Sequence, residues 1–261
     1  MDLKINNKWA LVTGGANGIG RQISIDLASE GVNLLITSRT EDSINKLKEV
    51  ISEEKVEIHG LVVDFLENNW QADFFNQISD RSIDILVNNA GHNLEITDPY
   101  CSIENWKKIL DLNFFTAVEI SNFVIPKMRN NKWGRIVNIT SVAGVENMGP
   151  VTYGVSKAAL TTYTRTMGRI LATEGGEVVM SAVFPGVIRT EGGHWDKIMK
   201  VNPDRASQYL NERCPLGRFG TTKEISSVVL FYCSDLASFS HGAIIPADGG
   251  QARSYHFSDV L

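Results

Sequence analysis

One short stretch restricts the fold of this chain more than any other. Trp9-Ala-Leu-Val-Thr13 is an apolar run that enters Gly14-Gly15-Ala16-Asn17-Gly18-Ile19-Gly20, after which Ile19, Ile23 and Leu27 recur at helical spacing. The pattern predicts a buried strand, a glycine turn and a helix. Such a turn needs glycine for positive φ, for close approach of backbone to a pyrophosphate and for tight packing of helix on strand. The helix start adds unpaired N–H groups and the positive end of a dipole, which suit an anion. Gly14, Gly18 and Gly20 are spaced Gly-x-x-x-Gly-x-Gly rather than Gly-x-Gly-x-x-Gly. The turn alone does not define a nucleotide site; its place after the first strand of the chain strengthens that reading.

The same alternation continues along the chain. Strands are expected at 32–37, 56–63, 83–87, from 134, at 177–184 and at 243–247, and helices at 43–53, 70–78, 102–128, 153–173 and 224–233. With no linker, repeat or low-complexity tract, residues 1–261 read as a single doubly wound α/β domain with a parallel sheet, ligands binding where strand order reverses. Only residues 190–220 break the rhythm. Gly192, Gly193, His194, Trp195, Pro203 and Pro215 interrupt any period there, so this insertion reads as a mobile lid that carries substrate identity. The tail from Gln251 onward, with Arg253, Tyr255, His256 and Phe257, either frays or docks on a neighbouring subunit.

Composition sets the outer limits. With 43% hydrophobic and 21% charged residues the chain can bury a substantial core, and a net charge of −5 without a lysine/arginine block argues against a nucleic-acid partner. Cys101, Cys214 and Cys233 are odd in number and widely spaced, which fits neither a disulfide framework nor a metal site. The N-terminus lacks the apolar core of a signal peptide, and no run approaches the ~18 apolar residues that span a bilayer. A cytoplasmic protein with reduced thiols is expected, without membrane or metal.

Parallel strands deliver their C-terminal ends to one edge, and the polar residues of this chain cluster at those ends. Ser38-Arg39 closes the second strand, where an acid would bind the ribose 2′-hydroxyl of a dinucleotide and an arginine would accept a 2′-phosphate; Arg39 therefore favours NADP(H) over NAD(H). A solvated pair of Arg39 with Glu41 or Asp42 is the bland alternative, and Asn17 supplies no second cation. Asp64, followed by Phe65, either accepts a hydrogen bond from an adenine amino group or caps the next helix. Asn88-Asn89-Ala90-Gly91 suits a strand end where amides brace neighbours while backbone approaches a ligand. His92 and Asn93 follow on the rim, as solvated loop residues or as substrate contacts. Pro185-Gly186-Val187-Ile188-Arg189-Thr190 turns the chain at the same edge.

The chemistry lies between Asn138 and Lys157. Ser141 ends the fifth strand, and Tyr153 and Lys157, four residues apart, share one helix face. A phenol with a pKa of about 10 must fall by roughly 3 units, about 4 kcal/mol, to act as acid or base near neutrality. A nearby ammonium supplies part of that, and Ser141 can hold the reacting oxygen. Asn113 interrupts an apolar stripe of Ile103, Trp106, Ile109, Leu110, Phe114 and Val118, and if buried it needs partners, either as a kink or as an anchor for water against a lysine.

With Thr13-Gly14-x-x-x-Gly18-Ile19-Gly20, Asp64, Asn88-Asn89-Ala90-Gly91, Asn113, Ser141, Tyr153-x-x-x-Lys157 and Pro185-Gly186 in this order, the chain resembles the short-chain dehydrogenase/reductase family over nearly its whole length. The resemblance implies a seven-stranded Rossmann fold and an oxidoreductase that moves hydride between NAD(P)(H) and a carbonyl or secondary alcohol. It implies a tetrad: Tyr153 as general acid/base, Lys157 lowering its pKa and holding the nicotinamide ribose, Ser141 orienting the substrate oxygen, and Asn113 relaying protons through water. It also implies a cofactor groove lined by the glycine turn, Asn89 and Ile188, with Thr190 at the nicotinamide amide, and a homotetramer paired through its long helices, or a dimer. The rim of His92, Asn93, Glu146, Asn147, His194 and Trp195 hints at a small hydroxylated or charged substrate, held over Ser141, Tyr153 and Gly186. Two features depart from the family: the sixth strand lacks the usual Arg/Lys-Val-Asn before Pro185, and Gly175 and Gly176 stand beside Lys132 where carrier-protein reductases are basic. The alternatives are a 3-oxoacyl thioester (acyl-carrier-protein) reductase, a lyase or dehydratase, and a catalytically silent nucleotide-binding scaffold; all four tetrad positions are intact, which speaks against silence.

Overall fold

The computed structural model describes residues 2–253. The expectations for Tyr255, His256 and Phe257 lie outside the described residues. Strand and helix alternate: β1 (Trp9–Val12), α1 (Gly18–Ser29), β2 (Asn33–Ser38), α2 (Glu41–Val50), β3 (Ile58–Val62), α3 (Trp70–Ile78) and β4 (Ile85–Asn88). Then come α4 (Ile103–Leu110), α5 (Thr116–Asn130), β5 (Gly134–Ile139), α6 (Val151–Thr173), β6 (Val178–Pro185), α7 (His194–Val201), α8 (Pro203–Arg213), α9 (Thr222–Tyr232) and β7 (Ile244–Ala247). The seven strands form one parallel sheet in the order β3-β2-β1-β4-β5-β6-β7. The chain runs outward from β1 to β3 and then restarts beside β1 with β4. The switch point therefore lies between the ends of β1 and β4, where both crossovers leave the edge open.

The two-residue period of the strands feeds two cores. Ala10 and Val12, Leu34 and Ile36, and Ile85 and Val87 face Ile23 and Leu27 of α1, Leu47 of α2 and Val229 of α9. Leu11, Leu35 and Leu86 point to the opposite face, against Phe74 of α3, Ile120 and Val124 of α5 and Leu171 of α6. The inner strands are covered on both faces, hence their near-continuous apolar runs, while the edge strands β3 and β7 are only half-buried.

Two segments differ from what the sequence pattern predicts. Residues 190–220 contain two helices. The residues that break the period act as start signals: Gly192 and Gly193 precede α7, while Pro203 occupies the first turn of α8, where no N–H is needed, and the Asn202 side chain accepts from Arg205 N at 3.1 Å. The long helix 102–128 is not uniform either. It widens by one residue at Asp111–Phe115, where Thr116 N–H bonds Asp111 O five residues back. The segment Ile103–Asn130 is, by length and a mean hydropathy of 1.3 over its most apolar stretch, apolar enough to cross a membrane, a test that a buried core helix also passes. Its apolar residues Ile120, Val124 and Met128 are buried against the sheet, and Ile109 is buried as well. Cys101, Cys214 and Cys233 are unpaired.

Candidate active site

A cleft of about 670 Å³ opens over the C-terminal edge of the sheet at the switch point, within the range of small-molecule sites. Its floor on one side is the turn between β1 and α1. Gly18 has φ +54°, a conformation a side chain resists, and a β-carbon on Gly20 would collide with the Asn89 amide and the Gly14 carbonyl. Gly20 therefore packs the helix onto the strand ends and does not line the cleft, whereas Gly14, Asn17, Gly18 and Ile19 do. The Asn17 side chain does not cap α1, which leaves the first N–H groups of the helix facing the opening. The neighbouring strand end is braced by Thr13, whose hydroxyl accepts from Asn89 N and Ala90 N at 2.9 Å each, and by the Asn89 amide, which donates to Thr13 O at 2.9 Å.

Further along the same side, Ser38, Arg39, Asp64 and Phe65 line the cleft. Arg39 is exposed and, among the described residues, forms no ion pair; Asp42 pairs with Lys46 instead, at 2.7 Å. The Ser38 hydroxyl lies 2.6 Å from that of Ser43. Asp64 does not cap α3: its Oδ1 accepts from Leu66 N at 3.0 Å, which turns the loop beneath the cleft.

At the centre the four polar residues singled out by the sequence come together. Ser141 leaves β5 in extended conformation, its Oγ accepting from Ala143 N at 3.1 Å. Tyr153 and Lys157 stand on the first two turns of α6, the Lys157 ammonium 5.7 Å from the Tyr153 ring centroid. Lys157 is buried and donates to Ile139 O at 2.9 Å; burial pushes its pKa down to about 8. Burial raises the Tyr153 phenol above its usual value, opposed by a hydrogen bond with Ser141. The side chain of Asn113, in the widened turn, donates to Ile109 O and His92 O at 2.9 Å each, while its Oδ1 is buried without a partner. A β-carbon on Gly91 would lie 2.6 Å from Asn113 Oδ1 and 2.9 Å from Lys157 Nζ. Glycine at 91 thus keeps open the space on which an unused acceptor and a buried ammonium converge. Asn88 fixes the frame behind, donating to Asn138 Oδ1 at 2.8 Å, and Asn138 donates in turn to Thr164 of α6 at 2.8 Å.

The third wall comes from Pro185, Gly186, Ile188 and Thr190 after β6 and from His194 and Trp195 of α7. His92 faces them from the β4 side, its Nδ1 accepting from Leu94 N at 2.8 Å. Desolvation at the rim, and then the Arg39 charge, lower its pKa, so the ring is neutral with Nε2–H as donor. Asn93 and Asn147 are not among the lining residues: Asn93 Oδ1 accepts from Glu95 N at 3.1 Å, and Asn147 is exposed. Sequence reasoning missed Leu94 and Leu112, which supply apolar lining, and Asp196, whose carboxylate gathers Lys200 at 2.9 Å, Arg189 at 2.9 Å and Gly192 N at 3.2 Å. Those partners hold Asp196 well below the usual carboxylate range. An Arg-x6-Asp-x3-Lys spacing was the available signal for that cluster.

The sequence profile described as short chain dehydrogenase matches residues 8–200. The chain belongs to the short-chain dehydrogenase family. Among its relatives, the 3-oxoacyl-[acyl-carrier-protein] reductase of Aquifex aeolicus is 36% identical over 254 residues, covering 96% of this chain and 99% of that protein. L-sorbose reductase of Gluconobacter frateurii, solved with NADPH and L-sorbose, superposes with a TM-score of 0.87 at 27% identity, covering 97% and 99% of the two chains. A 7α-hydroxysteroid dehydrogenase solved with NADH gives a TM-score of 0.83 at 28% identity, covering 96% of each. As a short-chain dehydrogenase the chain is an oxidoreductase that uses a nicotinamide dinucleotide, and its Rossmann-type sheet is the fold of these relatives.

Proposed function

We propose that the protein is an NADP(H)-preferring reductase of a small hydroxylated carbonyl compound. The observation that carries this reading is one polar cluster in the cleft: Tyr153 hydrogen-bonded with Ser141, and beside its ring Lys157, whose ammonium meets the free Asn113 acceptor over Gly91. The residues fit a dinucleotide: an uncapped helix start faces the pyrophosphate position, Gly14 and Gly18 line the opening at positive φ, and Arg39 stands beside Ser38 with no ion pair among the described residues. Bound there, the cofactor would supply the hydride. Ser141 orients the substrate oxygen, and Tyr153, held as the neutral phenol by burial, gives its proton to that oxygen as negative charge develops. Lys157, still largely protonated at neutral pH, steadies the phenolate that remains. Asn113 Oδ1 accepts from a water that returns a proton by way of Lys157.

The polar donors His92 and His194 beside Trp195 support a hydroxylated substrate, in line with the sorbose bound by the Gluconobacter relative. The 36% identity to a 3-oxoacyl-[acyl-carrier-protein] reductase favours the second reading, a 3-oxoacyl thioester reductase. Residues 190–220 form the substrate wall. Apolar side chains left exposed in the widened turn (Phe115), on α5 (Phe123) and on α6 (Val151 and Val155) support a homotetramer paired through these helices; we place the protein in the cytoplasm. Equilibrium binding of NADPH and NADH, then turnover against sugar ketones, apolar ketones and an acetoacetyl thioester, tests the cofactor and substrate readings. Selective NADPH binding with turnover of polar ketones is expected; thioester turnover alone would select the second reading, and NADPH binding without any turnover would favour a silent scaffold.

A further inference from the structure

We infer that Gln251 and Tyr209 are positioning residues which tie Trp195 into a fixed wall of the substrate half of the cleft, and that Trp195 selects carbonyl compounds able to lay an apolar face of their skeleton against its ring. Gln251 follows Asp248-Gly249-Gly250 after β7 and is 4% exposed. Its Oε1 accepts from Val187 N at 3.0 Å and its Nε2 donates to the Tyr209 hydroxyl at 2.9 Å. Because a backbone N–H can only donate, the amide oxygen must face Val187, and the NH₂ is thereby aimed at the phenol. The backbone around Gln251 is held as well, since Asp248 accepts from Gly250 N at 3.0 Å and Ala252 N at 2.7 Å.

Val187 lines the cleft beside Gly186, and Trp195 of α7 contributes to the same wall. The Tyr209 ring lies 4.3 Å from that of Trp195 and tilted to it by 47°, with Phe219 at 5.3 Å completing the aromatic cluster. A continuous path therefore runs from the end of β6 through Gln251 and Tyr209 to Trp195. The neighbouring Asp196 anchors the same helix to Arg189 and Gly192. An aromatic plate restrained at both ends loses little freedom when a substrate meets it, so its selectivity is expressed as affinity for the carbonyl compound.

The inference rests on the carbonyl-reducing reading, and its test separates the two. Tyr209→Phe removes one hydroxyl and keeps the ring; Gln251→Ala removes both bonds; Gln251→Glu keeps an acceptor for Val187 and another for the phenol. In the full-length, cofactor-free protein, the emission of Trp195, taken as the difference from the matching Trp195→Phe protein, is quenched with acrylamide. Tyr209→Phe and Gln251→Ala should raise its quenching constant at least twofold, and Gln251→Glu should restore it. With the best ketone of the panel, KM should rise at least fivefold while kcat and the NADPH Kd stay within twofold. Unchanged quenching in Tyr209→Phe, which carries the test if Gln251→Ala does not fold, would overturn the tie. Altered quenching with unchanged KM would overturn the selecting role of Trp195. A wild-type protein without NADPH binding or ketone turnover would overturn the carbonyl-reducing reading, and the quenching would still decide the tie.

Discussion

On the cofactor side of the cleft the wall is mostly backbone: the turn from Gly14 to Gly18, the ends of β1 and β4 stitched by Thr13 and Asn89, and the open space over Gly91. On the lid side it is mostly side chain. Gln251 reaches Val187 across 64 residues and Tyr209 across 42, and Asp196 gathers two cations and an amide. Backbone walls depend on a few residues adjacent in sequence and tolerate no added atoms. Side-chain walls depend on distant partners, and losing one loosens the wall while leaving the sheet intact. The first kind holds a constant ligand; the second can be exchanged for a different one.

The largest effect should come from the floor between the two. Tyr153→Phe should lower kcat by about 100- to 10,000-fold while the NADPH Kd stays within twofold, because only the proton handle is lost; near-wild-type turnover would remove the tyrosine from the mechanism. Lys157 should reveal itself in stability. Its folded pKa of about 8 lies below the ordinary lysine value, so burying the charge costs stability below pH 8, and the cost disappears as pH rises towards 10.5. The difference in unfolding free energy between the cofactor-free wild type and Lys157→Met should move by about 3 kcal/mol in favour of the wild type over that range. A flat difference in chemical denaturation would contradict the burial argument.

On the backbone side, Gly91→Ala should cost roughly 100-fold in kcat by driving a methyl into Asn113 and Lys157; a smaller loss than that from Tyr209→Phe would break the contrast between the two walls. Arg39→Asp should shift the ratio of NADPH to NADH affinities by about tenfold towards NADH, the scale of one charge-assisted contact, without changing the ketone KM. The smallest effect belongs to the lid. Asp196→Asn should speed proteolysis within residues 190–213 a few-fold and leave both cofactor affinities unchanged; a matching loss of NADPH binding would mean that the two walls are one unit.

This difference also explains what was legible in the sequence. The sheet, its two-sided burial and the switch point followed from apolar runs and glycine turns, which are local patterns with periods fixed by backbone geometry. Ser141, Tyr153, Lys157 and Asn113 were legible because chemistry needs unusual residue types at strand ends or in apolar stripes. Gln251, Tyr209 and Asp196 were not, since a glutamine or an aspartate looks the same in sequence whether it faces water or a distant amide. Pro203 and Gly193 misled for a related reason: one residue type both ends and begins helices, and only the following turn decides which. Asn147 and Asn93 were expected at the substrate because polar residues near a site resemble contacts until side-chain direction is known.

The widened turn at Asp111–Phe115 carries a consequence for how this chain can vary. It holds one residue more than an α-helix would use, and Asn113, whose amide donates to Ile109 O, stands at its centre. Deleting any one of the five would restore a regular helix of lower intrinsic strain, yet it would swing the preceding residues about 100° around the axis. Length is therefore constrained here by chemistry and not by folding: single-residue deletions between 111 and 115 should yield well-folded, inactive descendants.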